Sequence, residues 1–291
     1  MKIYLAKHKG FCSGVKRSIR LAEKALDERT GPIFILNEIV HNRTIINDLK
    51  QRGLNSVRDP NRIETGTMII SAHSIPYHVI TNAKARGLDV IDTSCPLVYR
   101  IHKAARELID DGYKVILYGD PDHDEIAGIK AIGPDDIHVL DSIDDIDDLP
   151  MWDKPAAFIS QSTRTIEGFE EAANKLHIKY KLLKVVNTIC RATRLRQEAI
   201  HELAKQVEMV IVIGSKTSAN SNRLEELASS YSIKTHLIDN EDELDLDWLE
   251  GIDNLGITSG ASTPDFLVNE VVKRIETWSK NKNIPTEIAQ L

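Results

Sequence analysis

The chain has 291 residues, enough to bury one large core or two to three small ones. Apolar residues make up 42% and charged residues 28%, the composition of an ordinary water-soluble protein, and a formal charge of −7 at pH 7 argues against a nucleic-acid surface. No apolar run reaches the length of a membrane span, and the opening M-K-I-Y-L-A-K-H-K-G-F-C is too short in apolar residues for a signal peptide, so a cytoplasmic protein is expected. There thiols stay reduced, and an odd count of three cysteines suits no disulfide framework.

In chain order, M-K-I-Y-L-A reads as a strand leading to Cys12, and C-S-G-V-K-R-S-I-R-L-A-E-K-A-L from Cys12 onward reads as a helix. A strand at 32–36 then ends in a polar loop with His41. A second strand, 68–74, ends at His73, a helix I-P-Y-H-V-I-T-N-A-K-A-R follows, and L-D-V-I-D-T-S-C returns to Cys95. The same order recurs. After the helix that begins at Cys95 come a strand at 113–118, a loop with His123 and Glu125, and a strand at 156–163 ending in Ser162 and Thr163. A helix and the strand K-L-L-K-V-V-N-T-I-C then lead to Cys190. The third pass has a helix from Cys190, a strand at 208–213, a loop with Ser218 and Asn220, a strand at 255–263 with Ser262, and a last helix.

Alternating apolar strands and amphipathic helices predict an α/β fold with parallel pairing. The repetition predicts three small α/β domains, at 1–95, 96–190 and 191–280, with 281–291 as a C-terminal tail. The repeat is far longer than that of a solenoid, so separate domains around a pseudo-threefold axis are expected. Ligands of open α/β sheets bind at the carboxyl ends of strands, where all the polar residues above fall. The acidic run D-S-I-D-D-I-D-D-L (141–149) lacks the glycine and spacing of a calcium loop and reads as a solvated face or linker.

The three cysteines share one local context and each precedes a helix, whose unpaired N–H groups favour a thiolate. A single cysteine is more often a small buried hydrophobe. Three in matched settings suit a metal or cluster at a domain junction, and their wide separation excludes the C-x-x-C spacing of zinc ribbons and ferredoxins. Three thiolates leave one corner of a four-iron cluster open. His41, His73 and His123, with Ser218, Asn220 and Ser262, form a set of donors that suits a diphosphate. Glu125 fits either a helix-start carboxylate or a proton donor kept protonated by burial, with Ser162 and Thr163 placed to relay a proton or orient a hydroxyl. No G-x-G-x-x-G opens a helix, and G-S-K-T (214–217) lacks the rest of a P-loop, so electrons for a redox reaction must come from another protein.

The motifs G-F-C-S-G-V, E-I-V-H-N, S-A-H-S, D-T-S-C-P, H-D-E, S-Q-S-T, G-S-K-T-S-A-N-S-N-R-L and G-A-S-T-P span nearly the whole chain. Together they resemble the 4-hydroxy-3-methylbut-2-enyl diphosphate reductase family, also called IspH or LytB. That resemblance implies a trefoil of three α/β domains around a central [4Fe-4S] cluster, held by Cys12, Cys95 and Cys190 with one open iron. It implies the last step of the non-mevalonate isoprenoid pathway, reductive dehydroxylation of a prenyl diphosphate to isopentenyl and dimethylallyl diphosphates. His41, His73, Ser218, Asn220 and Ser262 would hold the diphosphate, with His123 near the substrate and Glu125 as proton donor. Ferredoxin or flavodoxin would be the electron donor, with no nucleic-acid or membrane partner. The chain departs from the family where H-P-E reads His123-Asp124-Glu125, where Ala219 replaces a second serine found in some members, and where Q-T-T reads Gln161-Ser162-Thr163. The extra carboxylate of Asp124 is expected to point away. An iron–sulfur dehydratase, a non-catalytic cluster sensor and a zinc protein remain as alternatives.

Overall fold

The computed structural model describes residues 1–291. The chain opens with strand β1 (Lys2–Leu5). Then come β2 (Ile33–Leu36), β3 (Leu54–Val57), β4 (Thr67–Ile70), β5 (Asp89–Asp92), β6 (Lys114–Tyr118), β7 (Ile137–Leu140), β8 (Ala156–Ser160), β9 (Leu183–Val185), β10 (Met209–Ile213), β11 (Lys234–Ile238), β12 (Asn254–Ser259) and β13 (Glu287–Gln290). The helices between them are α1 (Ser13–Glu28), α2 (Arg43–Gln51), α3 (Tyr77–Ala85), α4 (Pro96–Asp110), α5 (Asp124–Lys130), α6 (Ile166–Lys179), α7 (Arg191–Ala204), α8 (Ala219–Ser229) and α9 (Asp265–Asn281).

The chain folds into two compact units. A terminal unit contains Met1–Ser13, His41–Ile45 and Arg191–Leu291, and a central unit contains Gly14–Val40 and Ile46–Cys190. The central unit has two four-stranded sheets, ordered β3-β2-β4-β5 and β7-β6-β8-β9. The terminal unit has one five-stranded sheet, ordered β11-β10-β12-β1-β13. Every pairing is parallel. Helices must therefore carry the chain back between strands, which buries both faces of each sheet. The strands M-V-I-V-I of β10 and A-A-F-I-S of β8 are buried at every position for this reason.

The second sheet illustrates the core. Side chains of a strand point alternately to its two faces. Ile116 and Tyr118 of β6 pack on one side with Phe158, Phe169 and Leu176, while Val115 and Leu117 pack on the other with Ile101, Leu108 and Ile129. The Phe158 ring is fully buried and stacks on Phe169 at 4.7 Å. Burial of such a side chain contributes about 1.5–3 kcal/mol.

One strand-order rule recurs in all three sheets: the strand that leads into a cysteine lies beside the strand that ends in the polar loop. These pairs are β5 with β4, β9 with β8, and β1 with β12. The sequence pattern puts β1 at the head of the first repeat, but its hydrogen-bonding partners are β12 and β13 of the terminal unit's sheet. The tail residues 287–290 add β13 to the far side of β1. In the acidic run at 141–149, Lys175 and Lys179 of α6 bond to Asp147 and to the carbonyls of residues 143, 146 and 147, consistent with a surface segment.

Candidate active site

Each cysteine is held by one repeated backbone bond. The N–H of Cys12 donates to the Ala261 carbonyl (3.0 Å), that of Cys95 to Ala72 (2.9 Å) and that of Cys190 to Ser162 (3.0 Å). In each case the acceptor lies two residues beyond the end of β12, β4 or β8. Two residues before the later cysteines, the Thr93 and Thr188 hydroxyls donate to the carbonyls of Ile70 and Ser160 at 2.5 Å. At the same distance from Cys12 stands Gly10, whose N–H donates to Ser259 Oγ at 2.7 Å. Gly10 has φ +72, and a Cβ there would fall 1.8 Å from Asp265 Oδ1, so only glycine fits. Buried Arg196 donates to the Gly10 carbonyl and fixes the turn from the other side. The three thiols are each half-buried and none is in a disulfide. Cys95 caps α4, with Pro96 in its first turn.

The polar loops repeat as well. Asn37, Gly119 and Gly214, just beyond β2, β6 and β10, donate to the last residues of β3, β7 and β11. Four residues further on stand His41, His123 and Ser218, and two beyond those stand Arg43, Glu125 and Asn220. Beyond β4, β8 and β12, the turn bonds Ser74 to Ser71, Arg164 to Gln161 and Thr263 to Gly260 enclose His73, Thr163 and Ser262 in matching positions. So nearly all the expected site residues occupy a few positions of one repeated frame. Glu125 and Asn220 lie in the first turns of α5 and α8, so Glu125 is a helix-start carboxylate as well as a buried one.

In the central unit, Glu125 is only 1% exposed. Its carboxyl accepts the Ser162 N–H and the Ser162 hydroxyl, both at 2.7 Å. Burial pushes its pKa up to about 6, opposed by the two Ser162 bonds and assisted by the Asp120 charge. Ser162 thus links the two ends of the site, since its carbonyl holds the Cys190 N–H while its N–H and hydroxyl hold Glu125. His123 caps α5, its Nδ1 accepting the Glu125 N–H at 3.1 Å. An accepting Nδ1 puts the proton of a neutral ring on Nε2. The His73 ring meets His123 edge-on, with centroids 5.1 Å apart. Thr163 is half-buried beside Ser162.

In the terminal unit, Ser218 caps α8 and accepts the Ser221 N–H. The Ser262 hydroxyl lies 3.1 Å from the His41 carbonyl and 3.4 Å from Ser218 Oγ. Asn220 is 5% exposed, yet neither its Oδ1 nor its Nδ2 has a hydrogen-bond partner. A buried amide left unsatisfied costs about 1–3 kcal/mol, a cost that a polar group bound at the first turn of α8 would remove. An anion placed there would meet the helix N-terminus, the Asn220 amide and the two serine hydroxyls.

Other contributors were not legible in the sequence. Asn37, in the left-handed region at φ 60, donates to Asp124 Oδ1 at 2.8 Å, which ties the additional carboxylate down. Arg164 is buried, bridges Asp120 and Asp141 at 2.9 and 2.8 Å, and lies over the Tyr118 ring at 4.3 Å. Gln161 Oε1 accepts the Asp120 N–H. The only signals in the sequence are that Gln161 and Arg164 flank Ser162-Thr163 and that Asp124 adjoins Glu125.

One frame repeated in three parallel sheets, each delivering a cysteine to a helix, defines a repeat-built α/β enzyme with one thiol per copy. The family model described as LytB protein matches residues 3–276. The 4-hydroxy-3-methylbut-2-enyl diphosphate reductase of Actinobacillus pleuropneumoniae serotype 5b is 40% identical over 286 residues, covering 95% of this chain and 90% of its own length. The solved E-1-hydroxy-2-methyl-but-2-enyl-4-diphosphate reductase of Plasmodium falciparum superposes with a TM-score of 0.93 at 28% identity, covering 99% of this chain and 92% of that one. A second solved structure, of the (E)-4-hydroxy-3-methyl-but-2-enyl diphosphate reductase described as the terminal enzyme of the non-mevalonate pathway, gives 0.70 at 35% identity, with coverage of 95% and 99%. The chain belongs to the LytB family.

Proposed function

We propose that this chain reductively removes the hydroxyl of 4-hydroxy-3-methylbut-2-enyl diphosphate, giving isopentenyl and dimethylallyl diphosphates. The observation that carries the reading is the connection from Glu125 through Ser162 to Cys190, which couples a buried carboxyl with a pKa near 6 to a thiol-bearing segment. The names of the family's relatives supply the substrate.

Cys12, Cys95 and Cys190 would hold a [4Fe-4S] cluster. Soft thiolates suit iron–sulfur centres, and each of these thiols is half-buried, outside any disulfide and fixed by the same backbone bond. When bound, such a cluster supplies reducing equivalents and an iron without a cysteine ligand. Ser218, Asn220, Ser262, His41 and His73 would bind the diphosphate, and His123 would present Nε2–H to the substrate. Glu125 gives its proton to the departing hydroxyl, which leaves as water, while the Ser162 hydroxyl and Thr163 orient the substrate's hydroxyl group. The C–O bond breaks, a C–H bond forms, and two electrons and two protons are consumed. The electrons would come from a ferredoxin or flavodoxin. No helix of the chain is long and apolar enough to cross a membrane.

The test is anaerobic reconstitution with iron and sulfide, followed by turnover with dithionite-reduced methyl viologen. Both products should form only with reductant, and Cys190→Ser should lose visible absorption and turnover together. Loss of water from the substrate without reductant would instead make the protein a dehydratase. Failure of the reconstituted protein to bind a prenyl diphosphate would favour a sensor.

A further inference from the structure

Three of the chain's acid-free stretches coincide with its cysteines. No Asp or Glu occurs at 1–22, 93–106 or 172–197, and each stretch contains one cysteine, although acidic residues outnumber basic ones 44 to 37 overall. Two of these stretches meet inside the central unit. Arg17 of α1 donates to the Ser94 carbonyl at 3.0 Å, and the Ser18 and Thr93 hydroxyls are 2.5 Å apart. The start of α1 therefore lies against the residue that precedes Cys95.

Both helices are exposed here and basic. Lys16 and Arg20 are one turn apart on α1, and Arg100 and Lys103 are one turn apart on α4, all four exposed. Neither helix has an acidic residue in its first turn, and both present positive dipole ends. Asp92, the carboxylate nearest Cys95 in sequence, is already engaged by the Tyr99 hydroxyl and the Ser94 N–H, and Lys103 shares its charge with Glu107 one turn along α4, 3.6 Å away. Tyr99 is 40% exposed, and Cys95 beside it is half-buried. The result is a positive face around one exposed aromatic ring, next to a thiol, on a protein of net charge −7.

We propose that this face of α1 and α4 is the docking surface for a small acidic one-electron carrier protein. The proposal rests on the reductase reading and names where its electrons enter. Each encounter oxidises one carrier by one electron, and two encounters supply the two electrons that C–O cleavage consumes. Charge complementarity selects the occupant. A local positive patch attracts an acidic protein of matching size, while the acidic remainder of the surface repels an extended polyanion such as DNA. Interfaces of this kind are small and transient, as repeated delivery requires.

The test is the quadruple variant Lys16→Glu, Arg20→Glu, Arg100→Glu, Lys103→Glu in the reconstituted enzyme, with reduced ferredoxin as the carrier. Steering by complementary charge changes association by about 10–10³-fold. The KM for ferredoxin should therefore rise at least about tenfold at low salt, and the steep loss of rate with ionic strength in the unaltered protein should flatten. Turnover with reduced methyl viologen should stay within roughly twofold, because a small cation needs no acidic docking partner. Titration of oxidised ferredoxin into the resting enzyme should weaken in parallel, which reads docking without turnover. The milder pair Lys16→Gln, Lys103→Gln should show the same trend and covers the case where charge reversal impairs folding. Unchanged ferredoxin KM, salt dependence and binding would overturn the docking surface. Absence of viologen-driven turnover in the unaltered enzyme would overturn the reductase reading instead, and the ferredoxin titration separates the two failures.

Discussion

Glu125→Gln separates the acidity of this side chain from its shape. The glutamine oxygen can still accept the Ser162 N–H, and its amide can donate to Ser162 Oγ, so both 2.7 Å contacts have a counterpart. What disappears is titration. Burial raises the Glu125 pKa from the ordinary 4.5 to about 6. At 1.36 kcal/mol per pH unit, that rise amounts to about 2 kcal/mol. The folded protein binds this proton more tightly than the unfolded chain does, so the stabilisation is complete below about pH 4.5 and is lost as pH rises through about 6. Above about pH 7 the unaltered protein buries an ionised carboxylate and the variant buries a neutral amide. The stability of the variant relative to the unaltered protein should therefore grow by about 2 kcal/mol between roughly pH 4.5 and pH 7.5. Urea unfolding of the two proteins across this range, read for the transition of the central unit, measures that difference. Parallel stability curves would refute the buried, proton-retaining carboxyl. The same variant should keep substrate binding and lose about 10²–10⁴-fold in kcat, the usual contribution of a general acid. Near-normal turnover would remove Glu125 from the proton-donor role.

Asn220→Ala should leave folding stability unchanged or slightly raised, because the amide it removes has no partner within the protein. Diphosphate affinity should fall by about 10–100-fold, matching the loss of one or two anion-directed hydrogen bonds of roughly 1.5–3 kcal/mol, and isothermal titration with inorganic diphosphate reads it. A variant that binds diphosphate normally removes Asn220 from the cradle. Gly10→Ala should destabilise the terminal unit by at least about 1–3 kcal/mol, since it combines a left-handed backbone with a Cβ overlapping Asp265. Thermal unfolding together with iron content per chain checks this, and an unshifted Tm with full iron would show that the turn can relax.

The sequence was most legible where a requirement is local. Apolar runs such as M-V-I-V-I mark buried parallel strands, and the three cysteine-to-helix transitions mark the repeats, because strand burial and helix periodicity are set over a few neighbours. Short strands such as β3, L-N-S-V, and β11, K-T-H-L-I, carry too few apolar residues to stand out, and only their pairing with β2 and β10 makes them strands. The strand character of β1 was equally readable, but its partners lie at the opposite end of the chain, and parallel registers leave no trace in local pattern. At the site, residue types were readable and their bonding was not. Nothing in H-D-E announces that Glu125 is sealed by Ser162 or that Asp124 is held by Asn37. Buried arginines such as Arg164 and Arg196 are similarly silent, since arginine is a surface residue by default and only its tertiary partners justify burial.

The pairing of β1 with β12 has a consequence for biogenesis. During synthesis the two sheets of the central unit emerge with all their strands in order and can close while the ribosome is still at work. The first strand cannot, because the strands that receive it follow the whole central unit, and the Gly10 contact to Ser259 spans 249 residues. Cys12 is thus the earliest thiol to leave the ribosome and the last to reach its final position. Until β12 is made, Cys12 lacks the Ala261 carbonyl that holds its N–H, so insertion of a three-thiol cofactor is expected only after that strand is in place.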